Sequence, residues 1–293
     1  MKVYWILIFM LPLVLMGQDM NSDLKADLIF YGDVMINADV PANRERAAKS
    51  FDQIIEKFIS ESTASNIDLS FVRQLSKVVS EDSLITIYTW GVELEDSKYD
   101  YEGYVFYNGK SHHKLVNRSA FDSNIRYATH TSQDWYGARY YNIVKFSDGE
   151  YLLFGRNDNG GFNNAKVVDV LSYEGDNLVL GKEIFQDPED TLTYNNKIYI
   201  TYSEDASVNL NYNAGMEMIV QDHLIQRIGR MPGQGPTYLP DGTYSGYGYR
   251  DGKWMFKEKL FDHSYGENNA PRPKPILNTK RKTKPKSSSK SRR

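Results

Sequence analysis

The hydrophobic period changes once along this chain, near Leu84, and that change sets what it can fold into. Downstream, Leu84-Ile85-Thr86-Ile87-Tyr88-Thr89-Trp90, Tyr104-Val105-Phe106-Tyr107 and Ile198-Tyr199-Ile200-Thr201-Tyr202 are rich in β-branched and aromatic residues with a period of two, which reads as strand. Between such runs stand Asn108-Gly109, Asp148-Gly149, Asn195-Asn196 and Asp251-Gly252, pairs that tolerate the positive φ of tight reversals between antiparallel neighbours. Segments 140–146, 151–155, 167–173 and 178–185 follow one another without a helical pattern between them, so a four-stranded meander is expected and a parallel α/β architecture is not.

Upstream the period is different. Ala47, Phe51, Ile54, Ile55 and Phe58 recur at three-and-four spacing, while Arg44, Lys49, Asp52 and Glu56 fall elsewhere, so residues 22–78 read as helical. Leu24, Leu28, Tyr31 and Met35 mark a first helix, and residues 38–41 connect it to the second. The expected fold is therefore mainly β (α+β), an N-terminal helical segment packed on antiparallel β-meanders. Periodicity leaves open whether these stack as propeller-like blades or as a sandwich.

Both ends of the chain read differently from its middle. Lys2 precedes an apolar stretch, residues 3–16, interrupted by Pro12 and closed by Gly17, the pattern of a cleaved signal peptide and shorter than the about 20 residues of a membrane-spanning helix. The expected organisation is a signal at 1–17, a helical segment at 18–80, an antiparallel β domain at 81–270 and a disordered basic tail at 271–293. With no cysteine, neither disulfides, thiol-held metals nor a lipid-bearing cysteine can form. The 253 residues between leader and tail are ample for an unstapled core.

The net charge of −3 hides a division. The tail carries ten Lys and Arg and no acid, so the remainder stands at −13. Such a body repels nucleic acid and anionic lipid, so no nucleic-acid partner is expected, and contact with an anionic surface would run through the tail.

Several separate motifs carry a resemblance: Trp135-Tyr136-Gly137-Ala138 with Tyr140-Tyr141, Lys166-Val167-Val168-Asp169-Val170-Leu171 after Asn164, Asp222-His223-Leu224, and Asp241-Gly242 ahead of Gly252-Lys253-Trp254. Over roughly residues 25–265 the chain resembles an uncharacterised family of exported proteins from Bacteroidota-type bacteria. The likeness implies export to the periplasm or beyond, and it carries over no catalytic or ligand-binding residue. Arg156 departs from the Trp expected in that family after Leu153-Phe154-Gly155.

The candidate sites are of three kinds. Asp222-His223, after the strand Met218-Ile219-Val220, is the best acid-base pair, with Asp169 as a second acid; neighbours along a strand point to opposite faces, so the pair need not touch. Carboxylates for glycoside hydrolysis could come from Asp169, Asp222, Glu217 or Asp241. Trp135, Tyr136 and Trp254, in a chain with 22 tyrosines, are candidate platforms for sugar or peptide, against a core role for the same rings. Asp158 and Asn159, in an Asn- and Gly-rich loop, offer oxygens to a hard cation, though such a loop is also ordinary turn chemistry.

Other chemistry is disfavoured. Tyr244-Ser245-Gly246-Tyr247-Gly248 lacks the first glycine of a nucleophile elbow, His112-His113 and His130 read as solvated loop rather than zinc ligands, and no phosphate loop or cofactor motif is present. The leading expectation is an exported, non-catalytic binding or scaffold protein for an envelope polymer or protein. The alternative is a hydrolase acting on an envelope or extracellular polymer.

Overall fold

The computed structural model describes residues 20–62, 67–95, 98–109, 111–158, 162–229 and 232–261. The expected leader, the basic tail and Asn159 lie outside them. The chain divides into two units, Met1–Leu260 and Phe261–Arg293, and every element below belongs to the first.

Helices α1 (Met20–Asn37) and α2 (Pro41–Glu61) meet across residues 38–40. Pro41 opens α2, where its missing N–H costs nothing. Arg44 holds the corner by donating to the carbonyls of Ala38 and Glu93, at 2.9 and 2.7 Å. The helical expectation for 22–78 overshoots, because α2 ends at Glu61 and β1 (Ser76–Val79) is already strand. Between them side chains capture the backbone N–H groups that a helix would need: the Leu69 N–H donates to the Tyr88 hydroxyl and that of Ser70 to Asp68.

Sheet I comprises β1, β2 (Ile85–Glu93), β3 (Tyr99–Tyr107) and β4 (Ser111–Val116) in sequential order. His112 and His113 are thus strand residues, packed against Tyr104, Phe106 and Tyr173, not loop. Sheet II holds β5 (His130–Thr131), β6 (Arg139–Ser147), β7 (Glu150–Asn157), β8 (Asn163–Glu174) and β9 (Asn177–Leu180), in the order β5-β9-β8-β7-β6. The expected meander is β6 to β9, although its last strand stops at Leu180. A further strand, β12 (Ile198–Ser203), shares with β9 the edge of β8 that faces away from β7.

Sheet III joins β10 (Phe185–Gln186), β11 (Tyr194–Asn195), β13 (Leu210–Asn213), β14 (Met218–Ile228), β15 (Pro236–Arg250) and β16 (Lys253–Lys257) in the order β11-β10-β16-β15-β14-β13. Its β10–β16 pairing is parallel, where the neighbours along the other ladders run antiparallel. Asp251-Gly252, between the paired Arg250 and Lys253, has positive φ at both residues, the primed turn expected of a two-residue hairpin, whereas Asn108-Gly109, also positive at both, belongs to a three-residue loop between the paired Tyr107 and Ser111. Asn195-Asn196 is not such a turn: Asn195 pairs with Phe185 inside sheet III, and the chain then crosses to β12 in sheet II.

Alternation assigns each strand face to a core. On β2, Ile85 and Ile87 face sheet II while Tyr88, Trp90 and Val92 face the helices; on β7, Tyr151 and Leu153 face sheet I while Leu152 and Phe154 face sheet III. Helices and the three sheets therefore lie in succession, with sheet II buried on both faces. Such burial explains apolar runs like 151–154, since neither face needs a polar residue. Phe51 of α2 meets Trp90 edge-on at 5.3 Å, and Lys114 of β4 reaches Asp52 and Glu56 at 2.6 and 2.8 Å, which seats the helices on sheet I.

Candidate functional site

The inner face of sheet III runs past the edge of sheet II, and the space left is a cleft of about 970 Å³. One wall is β12, from Ile198 to Thr201; the other carries Gln221 of β14, Ser245 and Tyr247 of β15 and Phe256 of β16, which the pairing register places side by side. Arg126, from the 3-10 turn Ser123–Tyr127, and Asp187, after β10, close one end. His223 and Tyr238 line it as well.

His223 enters the cleft because β14 does not end at Val220. The strand runs on to Ile228, and a bulge falls between Asp222, which pairs with Tyr244, and Leu224, which pairs with Pro240. The single residue His223 therefore faces Asp241, Gly242 and Thr243, and such bulges re-aim side chains. Asp241 accepts from the Thr243 N–H and hydroxyl at 2.9 and 2.8 Å, contacts that with His223 pull its carboxyl down to about 2. It is therefore ionised at neutral pH, and Nδ1–H of His223 must be the donor to its Oδ2 at 2.9 Å. That bond fixes the imidazole.

Asp222 and His223, candidates as an acid-base pair that need not touch, have different partners. Asp222 turns away and binds the N–H of Asn209 at 2.7 Å through its carboxylate, as the opposite facing of strand neighbours dictates. Glu217 is exposed in the turn before β14, with φ of 52°. Asp169 is not a cleft acid either, for it is fully buried between sheets I and II.

There Asp169 centres a network that sequence reasoning missed. Its carboxylate accepts from the Tyr136 hydroxyl at 2.6 Å and the Val170 N–H at 2.7 Å, and its Oδ2 lies 3.8 Å from Nζ of Lys197, equally buried. Lys197 precedes Ile198, whose partner is Val168, so register sets it across from Asp169. Its ammonium donates to the carbonyls of Ala128 and Leu180, at 2.5 and 3.1 Å, and stands 3.2 Å from Nδ1 of His130. Gly181, at φ of 114°, admits this arrangement: a Cβ there would lie 2.7 Å from Nζ. Burial pushes the carboxyl of Asp169 up and the ammonium of Lys197 down, and each partner opposes the shift of the other. The only sequence signal was a lone lysine against an apolar strand.

Burial and the adjacent Lys197 lower the imidazole of buried His130 from 6.5 to about 4. A depressed folded value means that its contribution to stability is complete above pH 6.5 and is lost as the pH falls through that value towards 4. The unfolding free energy should fall over that interval by on the order of 3 kcal/mol from this group. Urea titrations at pH 7, 5.5 and 4 measure it, and His130→Gln should flatten the slope; an unchanged slope removes His130 as its source.

The aromatic platform is a correction. Trp135 is 0%, Tyr136 1% and Trp254 1% exposed, so all three are core residues. The Trp135 indole donates to the Tyr140 hydroxyl at 3.0 Å, and Trp254 packs among Tyr249, Phe146 and Tyr212. The aromatic residues that line the cleft are Phe185, Tyr199, Tyr238, Tyr247 and Phe256. Asp158 offers a cation little, because both its oxygens are engaged by Arg156, with Nη2 at 2.7 Å from each. Arg156 thereby finds a structural role. Among the described residues no group of three or more His, Asp or Glu gathers to hold a metal ion, and no helix is long and apolar enough to cross a membrane.

No protein family matches the chain, and neither a curated protein nor a solved structure does.

Proposed function

We propose that this is an exported, non-catalytic protein of the envelope or extracellular space that holds a polymeric partner in the cleft between β12 and sheet III. Export rests on the apolar leader at residues 3–16 and the resemblance described above. The observation that carries the binding reading is the coincidence of the cleft with buried polar atoms lacking partners. Among the described residues, Oε1 of Gln221 and Nε of Arg126 are buried without a hydrogen bond, and both residues line the cleft. An unsatisfied buried polar group costs about 1–3 kcal/mol, and since neither atom has accessible surface, a ligand supplies the missing partner once the side chain turns into the cleft. The volume is also that of an ordinary ligand site.

The test is photo-crosslinking in the native envelope, with p-benzoylphenylalanine in place of Tyr238 at the cleft or of Ile29 on α1, 48% exposed. An adduct from position 238 and none from 29 is expected. No adduct at 238, or equal adducts at both, overturns the reading.

A hydrolase is the second reading, favoured by His223, which Asp241 holds, in a cleft that Asp187 and Glu258 also line. It requires that purified protein release fragments from isolated envelope polymers and that His223→Asn abolish the release. Unchanged polymers are the expected result.

A further inference from the structure

The wall formed by β12 has a property that narrows the partner. A strand that shows its face to a cavity contributes alternate residues, whereas Ile198, Tyr199, Ile200 and Thr201 are consecutive and all line this one. The cleft therefore lies along the edge of β12. Among the described residues β12 pairs with β8 alone, and residues 198–202 make no backbone hydrogen bond outside that ladder. In an antiparallel pair, alternate residues point their N–H and C=O away from the partner. Half of the main-chain groups of β12 are thus presented to the cleft, an edge of the kind that proteins normally cover or blunt.

Two buried polar groups without partners belong to residues that line the cleft, Gln221 on the opposite wall and Arg126 at one end. Gln221 is only 8% exposed; its amide nitrogen donates to Ser245 Oγ at 3.1 Å, which leaves Oε1 as an unused acceptor. The buried Nε of Arg126 is an unused donor. The charge balance is acidic: Asp187, Glu189 and Glu258 line the cleft against Arg126, while Lys197 is committed to Asp169.

Building on the cleft reading above, we infer that the partner is an extended polypeptide segment bearing basic side chains, which adds as a new strand to the open edge of β12. Main-chain bonds to β12 give affinity, alternate side chains enter the pocket of Tyr247 and Phe256, and the acids select lysine or arginine. A polysaccharide would use the same aromatic rings, but it lacks the alternating donors and acceptors, repeating every two residues at about 6.8 Å, that a strand edge requires.

The experiment uses the full chain with random-sequence octapeptide pools, one enriched in lysine and one in aspartate, a lysine pool N-methylated at alternate amides, and chitohexaose. The lysine pool should slow amide exchange at residues 198–202 at least tenfold and be retained at least fivefold better than the aspartate pool. N-methylation should abolish both effects, and Glu258→Lys, a surface change that spares the fold, should weaken retention at least threefold. Failure of the lysine pool to bind, binding without protection of β12, or indifference to N-methylation overturns strand addition. Chitohexaose bound in the cleft without peptide binding leaves the cleft reading standing and this inference lost; failure of every probe together with no adduct at position 238 removes both.

Discussion

Lys197→Met is expected to lower the unfolding free energy by about 3–5 kcal/mol at pH 7, measured by urea denaturation. Lys197 and Asp169 are both 0% exposed, with Nζ and Oδ2 3.8 Å apart. Taking two charges from water costs several kcal/mol each, and their attraction offsets it only because the remaining bonds are made: two carbonyls for the ammonium, the Tyr136 hydroxyl and Val170 N–H for the carboxylate. Without the ammonium, the carboxylate keeps its desolvation and loses its counter-charge. Its escape is to take up a proton, because burial already pushes its carboxyl up. A folded value raised above the unfolded one gives stability that is complete below the unfolded value and lost as pH rises, so the deficit of Lys197→Met should grow from pH 4 to 8. Lys197→Met with Asp169→Leu should recover most of the loss, since removing both charges leaves an apolar contact. A single variant within 1 kcal/mol of the parent would refute this account.

Trp135→Ala is expected to cost about 3–5 kcal/mol, because a fully buried indole leaves a cavity that rigid strands cannot close. It also orphans the Tyr140 hydroxyl of one donor and loosens a loop whose Arg118 and Ser119 N–H groups bond the Trp135 carbonyl at 2.8 and 3.1 Å. Tyr238→Ala, at a cleft residue 38% exposed, should change stability by no more than about 0.5 kcal/mol while weakening whatever the cleft holds. Thermal or urea unfolding of the two variants separates core aromatics from site aromatics; similar small losses in both would return Trp135 to the list of platforms.

Much of the fold was legible from residues alone. Three-and-four spacing located α2 from Ala47 to Phe58, and period-two runs with Asn-Gly and Asp-Gly turns located β2, β3, the β6–β9 meander and the primed β15–β16 hairpin. Both signals are local, since each follows from the geometry of a few consecutive residues. Reading failed where a side chain overruled its neighbours. The segment after α2 looked helical but gave its N–H groups to Tyr88 and Asp68, and Asn195-Asn196 looked like a reversal but carries the chain between sheets.

The site was far less legible. Asp222 and His223 were singled out together, yet the bulge separates them, keeps His223 at the cleft and gives it Asp241, eighteen residues on. Gln221, Arg126 and Lys197 drew no notice, because an amide, a guanidinium and an ammonium are ordinary surface residues until packing buries them.

Local covalent rules therefore determined the element types, the antiparallel pairing of neighbours and the alternation of faces. Only the stacking of three sheets decided which face became core, which charges lost their water and which strand kept an open edge. Burial and partner choice are properties of contacts between residues far apart in the chain, and no period in the sequence encodes them.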